Sequence, residues 1–353
     1  MSSIRAWRPS PGGWPLVVTE RPTPTLADDM VLIRTEASVI GVPERAPRPE
    51  ITPGGAAVGE VVEAGAGAAE LRGRRVVIGP DVACGECDVC RRAVTSSCPH
   101  GEVLGRTIDG TLASAVAVRA RWLCSLDQGL EIPGPEAALL GREAAWAYSM
   151  LVRAGVGPGD PVFVLGDDVV ARFLVELAIA KGTRPLVVMA SERPAWRDWV
   201  HERGGVPVVV AELGPDQSRA VVAEAARAAG HGERPRTVFA CAASDACRGL
   251  ALDLVTAGSR VVTLARRAVG LTEPGAALAL DALADADATL IGVAGAHPDL
   301  LPELAALAVR GEIDLAGAAE PLSIAALPVH VDQVNAFRAE LPRAAVVLLD
   351  AGA

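Results

Sequence analysis

VFVLGDDVVARFLVELAIAKG, residues 162–182, decides the fold. Its first four residues form a continuous apolar run closed by Gly166, which reads as a buried strand ending in a turn. VVARFLVELAIA then carries apolar residues at helical spacing, so the stretch reads strand, tight turn, amphipathic helix. The same alternation continues: RPLVVMA and WRDWVHERGG, VPVVVA and DQSRAVVAEAARAAG, RTVFACA and ACRGLALDLVTAG, then the strands RVVTLA and ATLIGVAG. Strands that are apolar throughout, separated by helices, imply a parallel sheet covered on both faces. This is an α/β, doubly wound, Rossmann-type domain. EAALLGREAAWAYSMLVRAG, just before it, reads as one further helix.

The turn itself is unusual. A dinucleotide-binding unit places GxGxxG here, for a tight turn, for close approach of backbone to a pyrophosphate, and for helix–strand packing. This chain has Gly166, Asp168 and Ala171 at the three positions, with Asp167 between the first two. The first is kept and Ala at the third is an accepted variant. A carboxylate at Asp168 is expected to face the phosphates, and like charges about 4 Å apart at an effective dielectric near 20 repel by about 4 kcal/mol. After the second strand, Ser191 and Arg193 stand where a 2′-phosphate would be held, which points to NADP(H), although a short polar turn reads equally well.

Composition narrows the partners. The chain has 353 residues, is 50% hydrophobic and carries a formal charge of −10. That length implies two domains. The negative balance gives no broad basic footprint for nucleic acid or an anionic membrane, so a small-molecule substrate is the expected partner. No run approaches a spanning helix, and MSSIRAWRPSPGGW lacks the apolar core of a signal peptide, so a cytoplasmic location is expected. The part up to about residue 128 breaks into short β-segments: GWPLVVTE, DMVLIRTEAS, AAVGEVVEAG, GRRVVIG and GTLASAVAV.

Within that β-rich part, CGECDVCRRAVTSSC sets Cys84, Cys87, Cys90 and Cys98 at CxxCxxCx7C spacing. Two-residue gaps let neighbouring thiolates turn toward one centre, and the longer loop brings the fourth round to complete a tetrahedron. The spacing and the reducing compartment favour a closed structural zinc site over free thiols, disulfides or an iron–sulfur cluster.

With this lobe, GEVVEAG (59–65), GRRVVIGP (73–80), VRAGVGPGDPVFVLG (152–166) and AGSRVVTLA (257–265) in the same order, the chain resembles the zinc-containing alcohol dehydrogenases of the medium-chain dehydrogenase/reductase superfamily. The resemblance implies a GroES-like catalytic domain over residues 1–134 with one structural zinc, a Rossmann-like domain over 135–295, and a return of 296–353 to the catalytic domain. It also implies a homodimer or homotetramer and a catalytic zinc in the cleft. The positions that would bind that second ion depart from the pattern: Ile40 for the cysteine, Val42 for the hydroxyl of the proton relay, Pro43 for the acid, Gly55 and Ala56 for histidine and glutamate, and Gly141 or Ala145 for the third ligand. None offers a lone pair to a cation, so no catalytic zinc is expected. Leu264 and Ala265 also replace the glycine that relatives often carry near the nicotinamide.

Without that Lewis acid, oxidation of a simple alcohol is disfavoured and a side-chain acid must serve. The candidates that the resemblance places near the cleft are Tyr148, Glu143, Arg142 and Glu44, with Arg45 beside the last. Three readings follow. The first is a zinc-free, NADP(H)-dependent reductase of an activated small organic substrate in specialised metabolism. The second is a non-redox cyclase, isomerase or lyase that reuses the cleft and has lost dinucleotide binding; the third is a catalytically silent partner subunit.

Overall fold

The computed structural model describes residues 3–11, 16–40, 50–126, 131–232, 235–241, 245–264, 280–325 and 341–349. The chain divides into two units: Met1–Ala145 with Gly295–Phe337 and Arg343–Ala353, and Trp146–Ala294 with Arg338–Pro342.

The first unit opens with a hairpin of β1 (Ser3–Pro9) and β2 (Leu16–Pro22), a strand pair that the β-segment reading missed in its first half. Its main sheet is built on β3 (Met30–Ile40), β4 (Ala56–Ala64) and β5 (Arg75–Ile78). Two short strands, β6 (Asp81–Val82) and β7 (Glu102–Val103), pair across the base of the cysteine lobe, which holds the single-turn helix α1 (Asp88–Arg91). Strands β8 (Ala115–Arg119) and β9 (Leu123–Ser125) join β3 and β5. Val31, Ile33, Val61, Val76, Ile78, Leu104 and Trp122 form the apolar core under this sheet.

The stretch read as one helix before residue 156 is two, α2 (Gly134–Leu140) and α3 (Glu143–Ala154), interrupted at Gly141 and Arg142. α2 packs on β3 and β4 and buries Ala137, Ala138, Leu139 and Leu140. The boundary between units therefore falls after Ala145 and not at 134. An apolar helix face carries no label for the sheet it will cover, so the sequence pattern could not place it.

The second unit contains β10 (Val162–Leu165), α4 (Val169–Ala180), β11 (Leu186–Met189), α5 (Pro194–Glu202), β12 (Val206–Val209), α6 (Pro215–Ala228), β13 (Thr237–Ala240), α7 (Asp245–Asp253), β14 (Arg260–Leu264), α8 (Leu280–Asp285) and β15 (Thr289–Val293). The strands form a six-stranded parallel sheet in the order β12-β11-β10-β13-β14-β15. The order reverses between β10 and β13, the switch point outside which such sheets bind ligands. Phe163, Leu165, Leu186, Val188, Val238 and Val261 fill one core cluster of this sheet.

The chain then passes through α9 (Leu301–Val309) and α10 (Leu315–Ala318) to β16 (Ala319–Ser323) and β17 (Ala344–Leu348). β17 pairs antiparallel with β3, and β16 lies parallel at its outer edge, so these strands complete the first unit's sheet. Among the described residues no helix is long and apolar enough to cross a membrane.

Candidate functional site

The β10–α4 turn is built from its glycine outward. Gly166 sits at φ 155°, a conformation essentially confined to glycine, and its N–H donates to the Val188 carbonyl of the neighbouring strand at 3.1 Å. The chain then turns into α4, whose N-cap is Asp168 with extended backbone (φ −109°, ψ 179°). Asp168 Oδ1 accepts from the backbone N–H of Ala171 at 2.9 Å. Aspartate is among the best N-caps because its carboxylate satisfies a donor that the helix cannot, and it interacts favourably with the positive end of the helix dipole. Ala171 is fully buried, which is what close helix–sheet packing needs of that position.

Asp167 is engaged as well. Its Oδ2 accepts from Ser191 Oγ at 3.0 Å and lies 3.5 Å from Arg193 Nη1, while that same nitrogen donates to the Asp167 backbone oxygen at 2.6 Å. The Arg193 side chain is only 12% exposed, so the guanidinium is pressed against the turn. The expectation that Asp168 merely faces a phosphate therefore changes in kind: the carboxylates of residues 167 and 168 already occupy an amide, a hydroxyl and a guanidinium that an anion would use. As a test of fit for a dinucleotide, the strand order, Gly166 and Ala171 suit it. The donors suit it once two carboxylates turn away.

Across the cysteine lobe, Cys87–Cys90 and Cys98–Cys84 sulfurs are 3.5 Å apart, Cys87–Cys98 3.8 Å and Cys84–Cys90 3.9 Å. Four sulfurs about 2.3 Å from one zinc at tetrahedral angles stand about 3.8 Å from one another, so this cradle fits the ion. Among the described residues this is the one group of three or more His, Cys, Asp or Glu side chains that converges in this way. The backbone helps: N–H groups of Glu86 and Cys87 hold the Cys84 thiol down to about 6, whereas burial pushes Cys90 up to about 12. A dication among the sulfurs would keep all four deprotonated. The lobe packs on Val82, Ala83, Leu104 and Trp122, and Trp122 Nε1 donates to the Ala83 carbonyl at 3.0 Å.

The positions expected to have lost a second metal are apolar or bare. Ile40 lies in a buried cluster with Trp7, Leu16, Leu112 and Val347, and Ala56 and Ala145 are buried. A β-carbon on Gly55 would meet Pro80 Cβ at 3.4 Å, an ordinary contact, but one on Gly141 would stand 2.4 Å from the Ile78 carbonyl oxygen. Val42, Pro43, Glu44, Arg45 and Ala265 lie outside the described residues.

Of the acid candidates, Tyr148 is 2% exposed and ranks among the largest fully buried side chains. Glu143, at the first turn of α3, is 7% exposed; its Oε1 stands 3.4 Å from Arg142 Nη1, and its Oε2 is buried with no hydrogen-bond partner among the described residues. What sequence reasoning missed is the grip of Asp167 on Ser191 and Arg193, whose only signal was an acid in the turn and a base after the next strand.

A GroES-type β-rich unit carrying a four-cysteine lobe, together with a parallel sheet of Rossmann order, defines a two-domain dehydrogenase fold. Residues 27–128 match the alcohol dehydrogenase GroES-like domain. The chain is 32% identical over 152 residues to the L-galactonate-5-dehydrogenase of Escherichia coli K12, covering 43% of each protein. It is 31% identical over 216 residues to an alcohol dehydrogenase of Rhizobium meliloti, covering 58% of this chain and 62% of that one. These matches thus span about half the length of the curated relatives. The structure of the alcohol dehydrogenase TADH from Thermus sp. ATN1 superposes with a TM-score of 0.83 at 22% identity, over 98% of this chain and 100% of that one. Residues 27–128 thus form an alcohol dehydrogenase GroES-like domain, and the chain as a whole shares the fold of alcohol dehydrogenases of the medium-chain dehydrogenase/reductase superfamily.

Proposed function

We propose that the protein is an oxidoreductase of this family that works without a catalytic zinc, reducing an activated small organic substrate with NADP(H). The observation that carries this reading is the position of Ser191 and Arg193: they follow β11 and lie against the Gly166 turn, where a 2′-phosphate is recognised in such folds. When bound, the nicotinamide cofactor supplies a hydride. The chain supplies the rest. Glu143, braced at Oε1 by Arg142, is the side chain that would relay a proton to the developing enolate. Arg193 and Ser191 orient the nucleotide by its phosphate. The four-cysteine lobe holds one structural zinc and takes no part in the chemistry. A homodimer or homotetramer belongs to the same proposal.

The test is a titration of NADPH and NADH followed by melting temperature and cofactor fluorescence, with conjugated carbonyl compounds then screened for consumption of NADPH. Saturable micromolar binding of NADPH supports the reading; no response at millimolar concentrations of either cofactor overturns it. A second reading, a non-redox enzyme on the same scaffold, is favoured by one observation, the Asp168 carboxylate bonded to the Ala171 N–H. It predicts the second outcome.

A further inference from the structure

We propose that Asp167 is the residue that sets cofactor selectivity, because its carboxylate stands in for the 2′-phosphate and competes with it for Ser191 and Arg193. The inference rests on the NADP(H) reading and adds to it a competitor built into the chain. Asp167 Oδ2 takes the Ser191 hydroxyl at 3.0 Å and faces Arg193 Nη1 at 3.5 Å, so both donors expected to bind the phosphate are turned toward this one carboxylate. Arg193 is also tied to the Asp167 backbone oxygen at 2.6 Å, a contact that survives removal of the side chain. Deleting the carboxylate therefore leaves the arginine anchored in place and takes one anionic competitor from it. Asp167 is 31% exposed, so its side chain has room to swing toward solvent when a dianion arrives.

Asp168 acts on a different part of the ligand. Its carboxylate holds the Ala171 N–H of the helix terminus, the donor expected to face the diphosphate that NADH and NADPH share. The two aspartates are thus separable: one discriminates between the cofactors and the other opposes both. Removing a charged competitor from a charge-assisted pair is expected to tighten binding roughly tenfold or more.

The experiment is calorimetric titration of the purified full chain, D167A and D168G with NADPH, NADH and 2′,5′-ADP. Expected for D167A are roughly tenfold tighter NADPH and 2′,5′-ADP with NADH unchanged within about twofold; expected for D168G are similar gains for NADH and NADPH. D167N, which removes charge but keeps an acceptor for Ser191, should shift in the same direction by less and serves should the alanine variant fold poorly. If the wild type binds NADPH and neither D167A nor D167N binds it more tightly, or if NADH gains as much as NADPH, Asp167 is only a clamp on the turn and the inference is overturned while the cofactor reading stands. If none of the proteins binds any of the three ligands, both are overturned.

Discussion

Replacing Gly141 by alanine adds a β-carbon 2.4 Å from the Ile78 carbonyl oxygen and 3.1 Å from Val77 Cγ1. Gly141 has right-handed helical backbone (φ −71°, ψ −16°), so on conformational grounds alone the change should stabilise by about 0.4–1 kcal/mol through the unfolded chain. The contact reverses the sign. The nearest atom is backbone of β5, not the end of a flexible side chain, and relieving it means shifting the strand or the α2–α3 junction, an overpacking cost of about 1–3 kcal/mol. In a unit of roughly 200 residues that lowers the midpoint by about 2–12 °C. Gly55 supplies the control: its added β-carbon meets Pro80 at 3.4 Å and Leu104 at 3.7 Å, so G55A should stay within about 0.5 kcal/mol of wild type. Both variants are measured by urea denaturation and thermal melting. By resemblance these two glycines stand at former metal-ligand positions, so the comparison also asks whether a ligand could be restored. If G141A is as stable as wild type, or G55A is the worse of the two, the claim that backbone closes position 141 is refuted.

Other expectations follow from single contacts. Metal analysis should find one zinc per chain, and C98S should lose it and expose residues 81–103 to protease, since a three-sulfur site no longer closes the loop. Glu176 on α4 is 1% exposed and 3.3 Å from Arg203, whose guanidinium stacks on Trp199; because the Arg203 side chain is 36% exposed and can turn to water, E176A should cost about 1 kcal/mol in denaturant unfolding. D168A should cost about 1 kcal/mol through the lost helix cap, and D168G only a few tenths. Burial lowers the pKa of His231, which lies edge-on to Phe163, below its ordinary 6.5. The unfolded chain then takes up that proton at higher pH than the folded one, so its contribution is complete above about 6.5 and is lost as pH falls below it. H231Q should flatten the acid limb of a stability–pH profile.

How much of this was legible in the sequence depends on the length scale of each interaction. The strand–helix alternation after residue 162 gave the parallel sheet because burial on both faces writes itself into every residue of a strand, as in VFVL and LVVM. The cysteine lobe was legible because ligand spacing is local. The α2–α3 break was not: Gly141 interrupts a good helical pattern for a reason that lies on β5, more than sixty residues earlier. Nor was the state of the turn. An aspartate after Gly166 is compatible with a side chain facing a ligand or with one capping a helix, and only the 2.9 Å contact to Ala171 distinguishes them. Asp167 could be paired with Ser191 and Arg193 only after β10 and β11 were known to be adjacent and parallel.

The most direct measurement is a crystal structure of the chain grown with NADPH. The account predicts nucleotide along the β10–α4 turn, the Asp167 carboxylate swung away, and Ser191 and Arg193 holding the 2′-phosphate in its place. A dinucleotide seated there with Asp167 still bonded to Ser191 and Asp168 still capping Ala171 would contradict it.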